Sequence, residues 1–272
     1  TASEISLELD NANVIRYPML LQLLFRISGA GAKVQSGSYR FQVPENLFIV
    51  AHRLITGDYD LPPVRLTFIE GMTVREMTGQ VVAAFPEIST QAFLKEALPY
   101  EGYLFPDTYL FSPSSDTASI VAEMRANFNT KITVSSDDLA ASGHSLSDIV
   151  TVASLVEKEA RTTENRRIVA GILWNRLELE MPLQVDAVFG YIFNRDTYSP
   201  SFADLKVDSP YNTYIHRGLP PGPIDNPGLD SLEAAINPIK TKYLYYLSGT
   251  DERMHYATTY AGHLANQKIY LH

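Results

Sequence analysis

The stretch ASLVEKEA, residues 153–160, ends an apolar run abruptly in three charges, Glu157, Lys158 and Glu159. Before it, Leu146, Ile149, Val150, Val152, Ala153, Leu155 and Val156 recur at helical spacing, with Ser145 or Ser147 placed to cap the start. The spacing predicts one buried helix over 145–160. Glu157 lies four residues after Ala153 and seven after Val150, so its carboxylate continues a stripe that faces a core. A carboxyl group at the apolar edge of a cleft loses solvation, and its charged form is disfavoured. It can then hold a proton near neutrality, as a general acid must. Glu159 follows Leu155 and Val156 in the same way, so spacing does not choose between the two glutamates. A solvated helix end, with both glutamates flanking Lys158, fits the pattern as well.

Working outward, the 272 residues are enough for one large or two modest domains with real cores. A hydrophobic share of 45% and a charged share of 19% are ordinary for a folded chain. The net charge of −9, with no Lys/Arg cluster, argues against nucleic acid and against polybasic docking on anionic lipid. Cysteine is absent, which excludes disulfides and thiolate metal sites and is compatible with an oxidising compartment. No segment reaches the ~20 apolar residues that cross a bilayer. The nearest, PMLLQLLFRISGA (18–30), is shorter and carries Arg26.

The first hundred residues read as α+β. Helices are expected over 18–27 and 45–55, stopped by the glycines at 29–31 and by Gly57, with a strand-like alternation at 36–43 between them. A strand over 61–71 leads into a helix over 72–85, whose Thr73 and Glu76 form a capping box. Ser89 or Thr90 caps a further helix ending at Ala97. Beyond Tyr100, loops rich in Pro, Gly and Tyr alternate with helices at 116–129, 145–160, 163–178 and 230–237, the last capped by Asp230 or Ser231. YLYYL (243–247) and MHYAT (254–258) read as strands of a small sheet.

Several stretches carry polar groups suited to sugars. In LQVDAVFGY, Gln184 and Asp186 alternate in what reads as an extended segment and so share a face. SPYNTYIHRGLPPGPI supplies Tyr211, Asn212, Thr213 and Tyr214; an amide can hydrogen-bond an N-acetyl group at both ends, and a tyrosine can stack on a pyranose. Each has a plainer reading as a turn or cap. Residues 218–223 are expected to form a rigid cleft wall, and Arg217 is either a carboxylate partner or a surface arginine. His52, His144, His216, His255, His263 and His272 show no metal-like spacing, and neither metal nor cofactor is expected.

EGYLFPDTYLF (101–111), the EKE triplet, ILWNRLELEMPLQVDAVFGY (172–191), SPYNTYIHRGLPPGPIDNPGLDSLEAAINPIKTKYLYYL (209–247) and HYATTYAGH (255–263) stand in an order and at spacings that resemble the YceG-like catalytic domain of endolytic murein transglycosylases, the MltG family. The resemblance covers residues 64–272. It implies an α+β fold, with residues 1–99 holding a LysM-like subdomain and residues 100–272 the catalytic domain. It implies Glu157 as the catalytic acid, with Gln184, Asp186, Tyr211, Asn212 and Tyr214 on the substrate and Glu101 and Glu159 in support. Glu101 and Asp107 either line the cleft or brace the Glu157 helix, with bracing favoured. The family pattern places Thr or Ser where Val185 stands, so that position loses a hydrogen bond.

The reaction implied is cleavage between N-acetylmuramic acid and N-acetylglucosamine inside nascent glycan strands, leaving 1,6-anhydro ends and terminating strand elongation. One carboxyl group can suffice, because the sugar's own C6 hydroxyl attacks intramolecularly at high effective concentration. The resemblance also implies a single N-terminal membrane helix preceding this chain, a catalytic domain on the outer side of the cytoplasmic membrane, and peptidoglycan synthases as partners. Two other readings stay open. A lysozyme-like hydrolase needs a second carboxylate about 5–9 Å from Glu157, for which Asp186 is the candidate. A glycan-binding protein without catalysis would bind strands and leave them uncut.

Overall fold

The computed structural model describes residues 1–41, 43–195 and 199–271. The chain divides into two compact units, residues 1–66 with 109–116, and residues 67–108 with 117–272. By packing, therefore, residues 67–99 belong with the second unit. The expected boundary at residue 99 was drawn on motifs.

The first unit contains helices α1 (Ala2–Asn11), α2 (Pro18–Ser28) and α3 (Leu47–Thr56), and strands β1 (Val64–Thr67) and β2 (Thr108–Phe111) pair in a two-stranded sheet at its margin. α1 starts under a capping box of Thr1 and Glu4. Leu9, Val14, Ile15, Leu21, Phe25, Val50 and Leu54 close its core. Arg53 is buried there, 2.8 Å from Glu45 and stacked 4.6 Å over the Phe41 ring. No strand forms over the described residues of 36–43. Tyr39 and Phe41 stack instead, and the backbone amide of Arg40 donates to Tyr59, so the alternation there reports ring packing rather than a ladder.

The second unit continues with α4 (Val74–Ala84), α5 (Thr90–Ala97), α6 (Thr117–Thr133), α7 (Ser136–Ser142), α8 (Leu146–Glu159), α9 (Thr163–Glu178), α10 (Val188–Phe193), α11 (Leu229–Ile236), β3 (Tyr245–Ser248), β4 (Met254–Ala257) and α12 (Tyr260–Tyr270). Thr73 and Glu76 make the expected capping box on α4, and Ser89 caps α5. β3 and β4 form an antiparallel hairpin with Tyr245 opposite Ala257. Among the described residues no single helix is long and apolar enough to cross a membrane.

Helix α8 lies at the centre of this unit, packed against α9 and α11. Ser145 caps it, and residues 149–156 are all buried. Its polar side chains are therefore spent internally. Thr151 donates to the Ser147 carbonyl, while Ser154 donates to Thr151 and accepts the Ile224 amide at 3.1 Å, tying the proline-rich loop to the helix. α11 starts one residue earlier than expected, with Gly228 rather than Asp230 or Ser231 in the capping position. The Asp230 carboxylate is taken by Arg166 and Thr163 instead.

Gly171 sits in the middle of α9, where the Ile239 carbonyl packs so close that a β-carbon would overlap it. An interior glycine costs about 1 kcal/mol of helix propensity relative to alanine, whereas overpacking costs about 1–3 kcal/mol. Gly171→Ala is therefore expected to destabilise the protein by up to about 2 kcal/mol. Urea unfolding measures this, and a midpoint raised by the substitution would show that the 237–241 segment yields freely.

Candidate active site

Glu157 and Glu159 both fall in the last turn of α8. Two residues along a helix are ~200° apart around its axis, so the two side chains leave on opposite sides. They enter different environments.

Glu157 turns toward α9 and the start of α11. Its Oε1 accepts from Arg166 Nη2 at 2.7 Å, and its Oε2 accepts from the Gly228 amide at 3.0 Å. The other arm of Arg166 donates to Asp230 at 2.7 Å, and its Nε donates to the Ala160 carbonyl. The Glu157 and Arg166 side chains are only 6% and 12% exposed. Both oxygens of Glu157 thus hold donors, an arrangement suited to a carboxylate that fixes structure. Glu70 joins the group against Gly228, where no β-carbon could fit. Burial first, and then the charge of Glu157, raises the Glu70 carboxyl above its ordinary range.

Glu159 faces the other way, onto the wall of a cavity of about 650 Å³ that Thr73, Lys158, Asp186, Tyr191 and Ile224 also line. Burial, and then the charge of Asp186, pushes its carboxyl up to about 7, against hydrogen bonds from the Tyr246 hydroxyl and the Ala187 amide. Tyr246 is itself raised well above the ordinary phenol value by burial and by Glu159. Asp186 accepts a short hydrogen bond from the Tyr214 hydroxyl. One carboxyl group that keeps its proton near neutrality therefore sits beside another that a phenol holds in place. That pairing of environments is how an acid is made at neutral pH.

The other candidates separate cleanly. Asp186 lines the cavity with Glu159 and accepts from Tyr214, although not on an extended segment. Gln184 is exposed in the left-handed region at φ 51 and does not line the cavity. Val185 is fully buried, and Thr213 supplies its polar partner by accepting its amide proton at 3.0 Å. Asn212 is buried, with its amide spent on the loop. It donates to the Leu205 and Val207 carbonyls and accepts from the Tyr214 amide, so nothing is left for a sugar. Tyr211 packs 4.9 Å from Tyr191, behind the cavity wall.

Glu101 is tied to the start of α4 and to Asn226, not to the Glu157 helix as favoured from the sequence. Its Oε1 accepts from the Val74 amide and from Asn226, and burial pushes it up to about 7. Asp107 accepts from Asn127 and lies 3.7 Å from Lys131, both on α6 of the same unit. Arg217 is exposed. His255 pairs with Asp251, and His263 contacts Gln267. Among the described residues no group of His, Asp or Glu could hold a metal; His272 lies outside them. Tyr191 and Tyr246 carry no local signal of a site in the sequence, where they read as members of a helix-like and a strand-like apolar run.

Comparison with known proteins gives a consistent picture. The model of the YceG-like family matches residues 1–269. The chain is 30% identical over 305 aligned positions to a protein of Streptococcus pneumoniae R6 named endolytic murein transglycosylase, covering 97% of this chain and 55% of that one. A Bacillus subtilis 168 protein of the same name is 29% identical, with 100% of this chain and 82% of the relative covered. The chain thus spans about half the length of the streptococcal relative. A crystal structure of a yceG-like protein from Listeria monocytogenes matches with a TM-score of 0.69 at 28% identity, over 97% of this chain and 95% of that one.

The raised Glu159 carboxyl has a stability consequence. Its folded pKa of about 7 lies above the ordinary 4.5, so between those values the native state binds more protons than the unfolded state. Stability contributed by this group is therefore present below pH 4.5 and is lost as pH rises toward 7. Glu159→Gln is expected to unfold at higher urea than the parent at pH 8, by roughly 1–3 kcal/mol, and to match it at pH 4.5. Equal offsets at both pH values would mean that the carboxyl is not perturbed.

Proposed function

Because the chain belongs to the YceG-like family, we propose that it is a peptidoglycan lytic transglycosylase whose general acid is Glu159. The observation that carries this is the position of Glu159 on the cavity wall, raised to about 7 by burial and by the charge of Asp186. The names of the streptococcal and bacillar relatives supply the substrate class, murein glycan. The resemblance of the EKE triplet pointed to its first glutamate. Geometry favours the last, since an arginine and a backbone amide engage both oxygens of Glu157, while Glu159 lies on the cavity wall beside Asp186.

In this reading protonated Glu159 gives its proton to the glycosidic oxygen between N-acetylmuramic acid and N-acetylglucosamine as that bond breaks. An oxocarbenium-like centre develops on the muramyl carbon. The carboxylate left behind takes the proton of the C6 hydroxyl, whose oxygen closes on the same carbon and forms the 1,6-anhydro end. Intramolecular attack at high effective concentration replaces an activated water. Asp186, held by Tyr214, keeps Glu159 protonated before the reaction and lies on the same wall to oppose the developing positive charge.

The family resemblance extends the proposal. Cuts fall within strands and limit their elongation, with peptidoglycan synthases as partners. Residues 1–99 include a LysM-like, glycan-binding part, and residues 100–272 carry the catalytic motifs. A single helix preceding this chain would anchor the protein in the cytoplasmic membrane, with the catalytic part outside. One observation keeps a second reading in view: Asp186 beside Glu159 supplies the second carboxylate that a lysozyme-like hydrolase requires.

Glu159→Gln is expected to lower cleavage of purified glycan strands at least ~10²-fold. Glu157→Gln, assayed where it remains folded, keeps more than a tenth of the parental rate. The reverse ranking would return the acid to Glu157. Digestion in oxygen-18 water distinguishes the chemistries: unlabelled anhydro ends support the transglycosylase, and labelled reducing ends support the hydrolase.

A further inference from the structure

The cavity wall carries charges of both signs, and two of its cations have no partner among the described residues. Glu76 accepts from the amide and hydroxyl of Thr73, Asp186 from Tyr214, and Glu159 from Tyr246 and Ala187. Lys158 and Arg75 line the same cavity, both exposed, and neither makes a hydrogen bond or ion pair with any described residue. In a chain of net charge −9 that is unexpected, because acidic neighbours abound.

Their placement is specific. Lys158 lies between the two glutamates on the last turn of α8, and its Nζ is 3.5 Å from where a β-carbon on Gly71 would stand. Arg75 is the second residue of α4, directly after the turn that contains Gly71. The turn thus brings a cation from α4 onto the same wall as the cation from α8. Behind Lys158 is Asp225, fully buried, with neither carboxylate oxygen hydrogen-bonded. Lys158 is the cation that opposes the burial-driven rise of its carboxyl. Among the described residues no hydrogen bond holds the Lys158 ammonium, and its donors are open to the cavity.

We infer that Lys158 and Arg75 form an anion-binding subsite beside Glu159, which receives a carboxylate borne by the glycan and makes acidic strands better substrates than neutral ones. The inference rests on the glycan-cleaving reading and adds to it the charge of the preferred substrate. Cations in a concave site concentrate field lines and raise the local concentration of an oppositely charged ligand. Charge-assisted hydrogen bonds from an ammonium and a guanidinium to a carboxylate are shorter and stronger than neutral ones.

The test uses the whole chain carrying Glu159→Gln, so that strands are bound without being cut. Binding is measured by fluorescence anisotropy against two probes: glycan strands with free muramyl carboxylates, and the same strands with those carboxylates converted to amides. The parent is expected to prefer the acidic strands about tenfold at low salt, with the preference shrinking as salt is added. In a Lys158→Gln, Arg75→Gln variant the preference falls to less than twofold, and Lys158→Arg restores most of the loss from Lys158→Gln. A parent without preference, or a double variant that keeps it, overturns the subsite. Equal weakening toward both probes also overturns it. A shortfall of folded protein shows in the circular dichroism melt, and Lys158→Gln alone then serves as the test variant. Failure of the lytic reading appears elsewhere, as labelled or absent products from the chain with Glu159 intact, and leaves the binding preference measurable.

Discussion

The ion pair between Arg166 and Glu157, shared with Asp230, is the contact on which the arrangement of the site depends. It joins the end of α8, the start of α9 and the start of α11 through one guanidinium. A buried pair of this kind adds little net stability, yet removing one partner is costly because the other charge is stranded. Its value here is geometric. With Glu157 held on one side of the last turn, helical rotation directs Glu159 to the other, where it meets Asp186, Tyr246 and the cavity.

Two carboxyl groups two residues apart are thus given different surroundings. Glu157 is surrounded by donors, namely an arginine and a backbone amide. Glu159 has a phenol and one amide, set against burial and a neighbouring carboxylate, and the balance favours its protonated form. Asp225 and Glu101 extend the pattern: both are buried and both are raised, opposed by Lys158 at Asp225 and by the Val74 amide and Asn226 at Glu101. The region behind the cavity is consequently rich in carboxyl groups whose charge is suppressed by burial, while Lys158 and Arg75 on the wall remain open.

Much of the fold could be read from local chemistry. The bounds of α9, the Ser145 cap of α8 and the Thr73–Glu76 box follow from caps and periodicity, and the structure reproduces them. Other features were decided by tertiary contacts that no window of sequence contains. α12 buries no residue fully and so shows no apolar stripe, which left it unread. The start of α11 depends on a carboxylate drawn away by Arg166, 64 residues distant. The choice between the glutamates was illegible for a stricter reason. α8 is buried around nearly its whole circumference, so both glutamates continue an apolar stripe, and only their partners differ. Asn212 misled through composition: an amide beside tyrosines resembles a sugar ligand, but its burial commits it to the loop.

The central claim is that Glu159 holds its proton near neutrality because of where α8 delivers it. The most direct measurement is a carbon-13 NMR titration of the glutamate side-chain carboxyl carbons in the full chain, with the Glu159 resonance assigned by its loss in Glu159→Gln. The account predicts a midpoint for that resonance close to 7. A midpoint near the ordinary value of 4.5 would contradict it, leaving Glu159 an ionised wall residue without a proton to give.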